Sequence, residues 1–234
     1  KNKFIFDVDG TLTPSRGKIN EEFSKFFFDF CMHNDVYLVT GSDKPKTVEQ
    51  IGNDLYEMAK CVYNCSGNDV WQGKKHIHTN NWTIPEVAKY FLNGCLYESR
   101  FNLRTGTHIE KRPGMVNFSV VGRGADAEQR QEYVAYDTST NERNTIANAF
   151  NTMFPDLEAK VGGETGIDIA PKGSDKSQIL KDFDKNDTLH FFGDGIFPGG
   201  NDWSIATAIA EQNRGTFYKV TDWTDTFNKL KELS

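Results

Sequence analysis

The sequence lacks a long apolar run, an excess of positive charge and closely grouped cysteines. No stretch of the 234 residues approaches the roughly 18–20 consecutive apolar residues of a transmembrane helix, so we expect no membrane partner. The formal net charge is −6 and the sequence pI is about 5.4, which argues against a nucleic-acid-binding protein held by a broad basic face. The first residues, KNKFIF, do not resemble a signal peptide, so none is predicted.

Cysteine is scarce, with four residues in the whole sequence. Only Cys61 and Cys65 lie close together, and no second pair follows at zinc-finger spacing. We therefore predict buried free thiols in a reducing compartment and a cytoplasmic location. His76 and His78 have the i, i+2 spacing of metal ligands, but no third ligand is near them in the sequence. An exposed strand is the favoured interpretation of that stretch.

Aromatic residues are abundant, with 18 Phe and 8 Tyr. The hydrophobic fraction is 37%, and these aromatic side chains supply enough apolar surface for a sizeable core. In residues 1–79, the buried-strand patterns KFIFDV, DVYLVTGS and KCVYNC alternate with two helical patterns. This alternation predicts a parallel sheet with helices packed on its faces. Four phenylalanines are predicted to lie on one face of the first helix: Phe23, Phe26, Phe27 and Phe30.

The pattern changes near residue 80, where strands begin to occur in pairs. GTHIEKR precedes MVNFSVVGR, and LEAKVGG precedes GIDIAP, with a helical pattern before each pair. Paired strands favour an antiparallel α+β unit. The α/β pattern then returns with a predicted helix at DKSQILKDF and a strand at TLHFFGD. We predict one α/β core formed by residues 1–79 and 172–234, interrupted by an inserted α+β domain at residues 80–171.

Polar residues follow several predicted strands of the core. In open α/β sheets, ligands bind at the carboxyl ends of the strands, so we expect these side chains to meet at one edge. Carboxylates with one lysine and one hydroxyl indicate a magnesium site that handles phosphate, because hard cations prefer oxygen ligands. Such a cation would offset the repulsion between neighbouring carboxylates. The residues are Asp7, Asp9, Thr40, Ser42, Lys176, Asp194 and Asp202.

These motifs resemble a known superfamily. DVDGTLT is similar to the first motif of the haloacid dehalogenase (HAD) superfamily, and the later hydroxyl, lysine and GD…ND resemble its other three motifs in order. More narrowly, FDVDGTLT, GSDKPKTVEQIGND, GTHIEKRPGMVNFSVVGR and FFGDGIFPGGND resemble the eukaryotic-type phosphomannomutase family over nearly the whole chain. The resemblance implies a HAD-like Rossmannoid core with a parallel sheet and an inserted α+β cap domain with an antiparallel sheet.

The resemblance also implies roles for the aspartates. Asp7 would be the nucleophile that forms an aspartyl-phosphate, and Asp9 would be the general acid/base. Mg²⁺ would be held by the Asp7 carboxylate, the Asp9 backbone carbonyl and Asp194. Asp202 would orient Lys176 or metal-bound water, and it is also predicted to cap the helix that follows it.

Phosphate would be bound by the remaining core residues and by the insertion. Thr40 or Ser42 would hydrogen-bond the transferred phosphate, and Lys176 would neutralise its oxygens. Arginines match those that hold the substrate's other phosphate in the family, while Asp168 matches a carboxylate that grips sugar hydroxyls. A solvated surface charge is the alternative interpretation of each cap arginine. The arginines are Arg16 in a core loop and Arg112, Arg123 and Arg130 in the insertion.

The predicted activity is that of a phosphomannomutase-like sugar phosphomutase. It would interconvert mannose 6-phosphate and mannose 1-phosphate, with a hexose 1,6-bisphosphate as activator, and the sequence does not distinguish mannose from glucose. The resemblance also implies a homodimer formed through the cap. The alternative is a magnesium-dependent sugar-phosphate phosphatase on the same site, and a third class is a binding protein without activity. The motif residues argue against that third class, because all of them are present.

Overall fold

The alternation of strands and helices breaks near residue 80, and the structure divides there. A computed structural model describes residues 1–234 and separates them into two units. The first unit comprises Lys1–Thr79 and Gly173–Ser234, and the second comprises Asn80–Lys172. The second boundary lies one residue later than predicted, because the Lys172 backbone N–H donates to the carbonyl of Asp156 within the second unit.

A seven-stranded sheet forms the centre of the first unit. The strand order is β11-β10-β1-β2-β3-β4-β5, and the first five strands in this order are parallel, as predicted. The last two form an antiparallel edge that the sequence pattern did not predict. The strands are β1 (Asn2–Phe6), β2 (Asp35–Val39), β3 (Cys61–Asn64), β4 (Asp69–Gln72), β5 (Lys75–Thr79), β10 (Thr188–Gly193) and β11 (Gly215–Lys219).

Four α-helices belong to the first unit: α1 (Glu21–His33), α2 (Lys44–Met58), α6 (Trp203–Glu211) and α7 (Trp223–Leu233). Three of the four predicted phenylalanines of α1 are fully buried, and Phe26 packs against the same core at its margin. Asp43 caps α2 by accepting a hydrogen bond from the Lys46 backbone N–H. Helix α2 is not continuous, because Gly52 has φ 84° and ψ 161°.

The predicted helix at DKSQILKDF is a 3₁₀ helix, Lys176–Asp182. Asp175 caps it through the Ser177 backbone N–H, and Phe183 is already extended. Seven residues between a cap and an extended residue give too few hydrogen bonds for a stable α-helix, and tertiary contacts decide the form instead.

The second unit has a four-stranded antiparallel sheet of order β6-β7-β9-β8, which agrees with the predicted pairing. Its core contains Phe118, Phe150 and Ile169, all at most 1% exposed. The strands are β6 (Ile109–Arg112), β7 (Met115–Ser119), β8 (Leu157–Gly162) and β9 (Gly166–Pro171). The helices are α3 (Glu86–Glu98), α4 (Ala127–Thr140) and α5 (Glu142–Met153). None of the seven α-helices of the chain is long and apolar enough to cross a membrane.

Candidate active site

The first predicted aspartate lies directly after β1, the middle strand of the five parallel strands. The Asp7 backbone N–H donates to the carbonyl of Phe192 on β10 (2.9 Å), and the residue is 2% exposed. The chain then turns at Gly10, which has φ +79°. A Cβ at Gly10 would overlap the carboxylate of Asp194, so only glycine allows the turn to lie this close to that carboxylate.

Lys176 connects two of the predicted carboxylates. Its Nζ lies 2.7 Å from Asp7 Oδ1 and 2.7 Å from Asp202 Oδ1, and the residue is 1% exposed. The other oxygen of Asp202 accepts a hydrogen bond from the Gly195 backbone N–H (2.9 Å). Asp202 occupies the N-cap position of α6, but its side chain makes no capping hydrogen bond. The predicted N-cap position is therefore confirmed, but the side chain does not cap the helix, because both carboxylate oxygens are bound elsewhere.

Asp194 joins this group through a threonine hydroxyl. Thr11 Oγ1 donates to Asp7 Oδ2 (3.1 Å) and accepts a hydrogen bond from the Asp194 backbone N–H (3.0 Å). One carboxylate oxygen from each of Asp7, Asp194 and Asp202 lies within 4.8 Å of the others. The structure thus brings together three of the four predicted metal ligands, from the ends of β1 and β10 and the start of α6.

The electrostatics of this cluster favour a bound cation. Burial raises the pKa of Asp7 to about 6, although the charge of Lys176 opposes that shift. Burial also raises the pKa of Asp202. Burial by itself would lower the pKa of Lys176, but the carboxylates of Asp7 and Asp202 outweigh it and raise that pKa. Three carboxylates face one ammonium group, and their all-oxygen donor set fits a hard divalent cation that would balance the remaining negative charge.

Asp9, the fourth predicted metal ligand, has a side chain that lies outside this cluster. Its Oδ1 accepts hydrogen bonds from Gln50 Nε2 (2.9 Å) and from the Arg16 backbone N–H. No hydrogen bond within the chain reaches its Oδ2. Arg16 itself has φ +57°, and its guanidinium makes no hydrogen bond or ion pair with the chain. The carboxyl group of Asp9 is thus held through one oxygen and free at the other.

Thr40 and Ser42 follow β2 at the same end of the sheet. Thr40 is 1% exposed, and its hydroxyl accepts a hydrogen bond from the Ser42 backbone N–H (3.1 Å). The buried Asn64, the last residue of β3, donates to the Ser42 carbonyl (3.2 Å) and receives a hydrogen bond from the Tyr56 hydroxyl (2.6 Å). The turn is therefore fixed on both sides, and each hydroxyl retains a proton to donate to an anion.

Two of the predicted cap arginines share one carboxylate in the second unit. Arg112 Nε lies 2.7 Å from Glu110 Oε1, and Arg123 Nε lies 3.7 Å from Glu110 Oε2. Arg130 is separate from them and pairs with Glu164 at 3.8 Å. These ion pairs are half exposed, so they contribute little to stability and leave the guanidinium groups accessible to solvent.

Asp168 on β9 lies across the sheet from a buried amide. Its Oδ1 accepts a hydrogen bond from Asn117 Nδ2 on β7 (2.9 Å), and the register pairs these two residues directly. Gly166 makes room for this amide, because a Cβ there would lie 2.5 Å from Asn117 Nδ2. The carboxylate of Asp168 is therefore fixed on one face of the sheet.

Comparison with known proteins identifies the family of this chain. The family model for eukaryotic phosphomannomutase matches residues 23–234. The chain belongs to the eukaryotic phosphomannomutase family. The phosphomannomutase of Saccharomyces cerevisiae is 34% identical, with 98% of this chain and 92% of the relative covered. Human phosphomannomutase 1 is also 34% identical, with 98% and 90% covered, and the phosphomannomutase of Galdieria sulphuraria is 33% identical, with 98% and 93% covered.

Solved structures with much lower identity share the fold. A haloacid dehalogenase-like hydrolase from Bacteroides thetaiotaomicron aligns with a TM-score of 0.64 at 13% identity and covers 100% of this chain and 99% of its own. The Aspergillus fumigatus trehalose-6-phosphate phosphatase aligns with a TM-score of 0.64 at 14% identity, with 100% and 92% covered. Together with the family match, these neighbours confirm the predicted HAD-like fold of this phosphomannomutase family member.

Three residues of this family member were missed by sequence reasoning. Thr11 was inside the quoted motif DVDGTLT, so its hydroxyl could have been noted as a hydrogen-bond donor to the aspartates. Gln50 and Asn117 carry no local signal, because each contacts its aspartate from a different element of structure. The sequence gives one indication of Gln50 and Asn117: each is a polar residue at a position of its helix or strand where a buried apolar residue is expected.

Proposed function

We propose that this chain is a sugar phosphomutase that interconverts mannose 6-phosphate and mannose 1-phosphate, with glucose phosphates as alternative substrates. A hexose 1,6-bisphosphate would act as activator by supplying the phosphoryl group of the resting enzyme. One observation carries the proposal: the buried cluster of Asp7, Lys176, Asp194 and Asp202 occurs in a chain that matches phosphomannomutases at 31–34% identity over nearly its whole length.

Asp7 is the nucleophile in this scheme. Its carboxylate attacks phosphorus, the bond between phosphorus and the sugar oxygen breaks, and an aspartyl-phosphate forms. Asp9 gives its proton to the departing sugar oxygen in the same step. In the second half-reaction a sugar hydroxyl attacks the aspartyl-phosphate, Asp9 takes the hydroxyl proton, and the Asp7 carboxylate is released. The free Oδ2 of Asp9 is the atom that exchanges the proton.

The acidic cluster would hold Mg²⁺. Asp7 and Asp194 would supply carboxylate ligands, Asp9 its backbone carbonyl, and Asp202 would act directly or through Lys176. When bound, the ion supplies charge that screens the incoming phosphate from the Asp7 carboxylate. Lys176 adds a second positive charge beside Asp7 and holds that carboxylate in its ionised form.

Further residues would recognise the phosphates and the sugar. Thr40 or Ser42 would donate to the transferred phosphoryl group, since each hydroxyl has a proton free. The distal phosphate would be bound by guanidinium groups, which match its geometry. Asp168 would accept hydrogen bonds from sugar hydroxyls. The guanidinium groups are those of Arg16, Arg112, Arg123 and Arg130.

We also propose a homodimer formed through the inserted unit, with no nucleic-acid or membrane partner, and a cytoplasmic location. The four cysteines are free thiols, which supports a reducing compartment. The net charge of −6 supports the absence of a nucleic-acid partner.

A coupled assay tests the proposed reaction. Mannose 1-phosphate is supplied with Mg²⁺, with and without glucose 1,6-bisphosphate, and mannose 6-phosphate is measured beside free phosphate. We expect bisphosphate-dependent formation of the 6-phosphate, and its loss in EDTA and in Asp7→Asn. Phosphate release that equals substrate loss would indicate the phosphatase instead. Turnover by Asp7→Asn would show that the nucleophile is assigned wrongly.

A further inference from the structure

Gln50 is a buried amide that contacts the catalytic loop, residues 9–19, from helix α2. It is 2% exposed, and its Nε2 lies 2.9 Å from Asp9 Oδ1. The same nitrogen lies 3.3 Å from Thr13 Oγ1 and 3.4 Å from the Gly17 carbonyl. One amide thus contacts the loop at three positions, and its shortest contact is with the carboxylate of Asp9.

The break in α2 lets the backbone of Gln50 hold the same loop. In an uninterrupted helix the carbonyl of residue 50 would accept a hydrogen bond from residue 54. Gly52 leaves the helical region, and the Gln50 carbonyl instead accepts the Ile19 backbone N–H (2.8 Å). The side chain and the main chain of Gln50 therefore bind opposite ends of the catalytic loop. A glycine that interrupts a helix costs stability, so its presence here indicates that the interruption serves the loop.

The other hydrogen bond to Asp9 also comes from an unusual backbone conformation. The Arg16 N–H donates to the same oxygen, Oδ1, and Arg16 has φ +57°. Two donors therefore fix Oδ1 and leave Oδ2 unoccupied. This arrangement orients the carboxyl group without occupying the oxygen that would exchange a proton.

A role in packing alone does not explain a glutamine at position 50. Its Oε1 is buried and has no hydrogen-bond partner. An unsatisfied buried acceptor destabilises a fold, whereas an apolar side chain of similar shape would fill the same space without that penalty. Violations of this kind in native proteins concentrate at functional sites. The amide is retained for the donor that it directs at Asp9.

We infer that Gln50 is a positioning residue that fixes the Asp9 carboxyl group for proton transfer. The inference rests on the proposed function in one respect, namely that Asp9 moves the proton of the sugar oxygen. The hydrogen bonds of the Gln50 amide all go to the catalytic loop. Loss of the amide should therefore slow steps that need a proton at the leaving oxygen and spare steps that do not.

The test compares two phosphoryl donors in Gln50→Met, which keeps the size of the side chain but removes the donor. Mannose 1-phosphate needs protonation of its leaving oxygen, whereas 4-nitrophenyl phosphate has a leaving group that departs with little protonation. We expect kcat with the sugar phosphate to fall by about tenfold or more, with KM changed less than about threefold. The burst of 4-nitrophenolate should slow by less than about threefold.

Two further variants separate positioning from structural support. Ile51→Val perturbs the same turn of α2 without removing a hydrogen bond. It should lower the rates with the two phosphoryl donors by the same small factor. Gln50→Glu places a carboxylate against Asp9, so its kcat with the sugar phosphate should fall as much as that of Gln50→Met. The same variant replaces Gln50→Met in the test if Gln50→Met does not fold. The inference would be overturned if Gln50→Met lost the same fraction of its rate with both phosphoryl donors, or lost no rate with either. Absence of mutase activity in the wild type would overturn only the proposed function, because release of mannose from the same substrate still needs Asp9.

Discussion

Lys176 is the only cation among the buried carboxylates of the first unit's catalytic centre, and its charge stabilises two of them. Its Nζ contacts Asp7 and Asp202 at equal distances, and all three residues are at most 2% exposed. Bringing such charges out of water is costly, and the cost is offset only while the ion pairs are complete. The lysine therefore links stability and catalysis, because the nucleophile depends on it for its ionised form.

Lys176→Met should destabilise the fold by about 3–5 kcal/mol at neutral pH in EDTA, because it leaves two buried carboxylates without a counter-charge. Urea unfolding followed by circular dichroism measures this loss. The matched control is Lys25→Met, which removes an exposed ion pair with Glu21 on α1 and should change stability by less than about 0.5 kcal/mol. A loss below about 1 kcal/mol for Lys176→Met would show that the carboxylates do not depend on the ammonium group.

His190, on β10, makes the stability of the fold depend on pH. Its ring stacks on Phe4 at 4.9 Å, its Nδ1 is buried without a partner, and burial lowers its pKa from 6.5. Above pH 6.5 neither the folded nor the unfolded chain protonates this ring. As the pH falls below 6.5, the unfolded chain binds the proton first, so the free energy of unfolding decreases until the folded pKa is reached.

His190→Phe should remove this acid-dependent loss, because phenylalanine stacks but does not titrate. The free energy of unfolding of the wild type should fall relative to that of the variant as the pH falls below 6.5, with a slope of at most about 1.4 kcal/mol per pH unit. Urea titrations at several pH values give both curves. Parallel curves over this range would contradict the prediction.

The prediction from sequence was strongest for side chains that belong to the ordered motifs of a known superfamily. Asp7, Lys176 and Asp194 were predicted to meet at the ends of the parallel strands, and they do so. Gln50 was not predicted, because nothing in a helical pattern shows that one amide faces a loop 41 residues away. Contacts of this kind depend on the packing of complete elements, which local patterns do not specify.

Helices and strands were predicted well where burial is periodic and poorly where it is not. Helix α1 buries a regular row of phenylalanines, and the helical spacing of these residues in the sequence predicted the helix. Helix α4 buries only Tyr133, so the sequence has no apolar period to detect and the helix was missed. The exposed strand predicted around His76 and His78 is β5, but its pairing with β4 in a hairpin was not predicted.

Glycine in a helix has two different effects in this chain. Gly52 has φ 84° and ψ 161°, a region that is essentially restricted to glycine, so Gly52→Ala should destabilise the fold by about 1–3 kcal/mol. Gly94 lies inside α3, where an added Cβ would meet nothing within 4 Å, so Gly94→Ala should stabilise the fold by about 0.5–1 kcal/mol. Thermal and urea unfolding of both variants measure the two changes. Stabilisation by Gly52→Ala would show that the break in α2 carries no strain for alanine, and destabilisation by Gly94→Ala would contradict the prediction for α3.

The chain contains three hydrophobic clusters, two in the first unit and one in the second. The first unit is discontinuous in sequence and is held together by parallel pairing of β1 with β10. The second unit is continuous, and every strand of its sheet comes from within it. The change from alternating to paired strands was enough to predict this division. Pairing across more than 180 residues, by contrast, was inferred only from the return of the α/β pattern.

Residues 80–172 should fold when expressed alone, because their core and all of their strand pairing are internal. We expect cooperative urea unfolding and slow amide exchange at Phe118 and Ile169, which lie on the central strands β7 and β9.

A domain of this size is stabilised by roughly 5–10 kcal/mol. Phe150→Ala, which removes about 3–5 kcal/mol of core packing, should therefore remove a large part of that stability. Tyr97→Ala is the control, because that side chain is 92% exposed and contributes little to the core. Rapid exchange throughout the isolated wild-type segment would show that the second unit depends on the first for its stability, and that the insertion is not an independent folding unit.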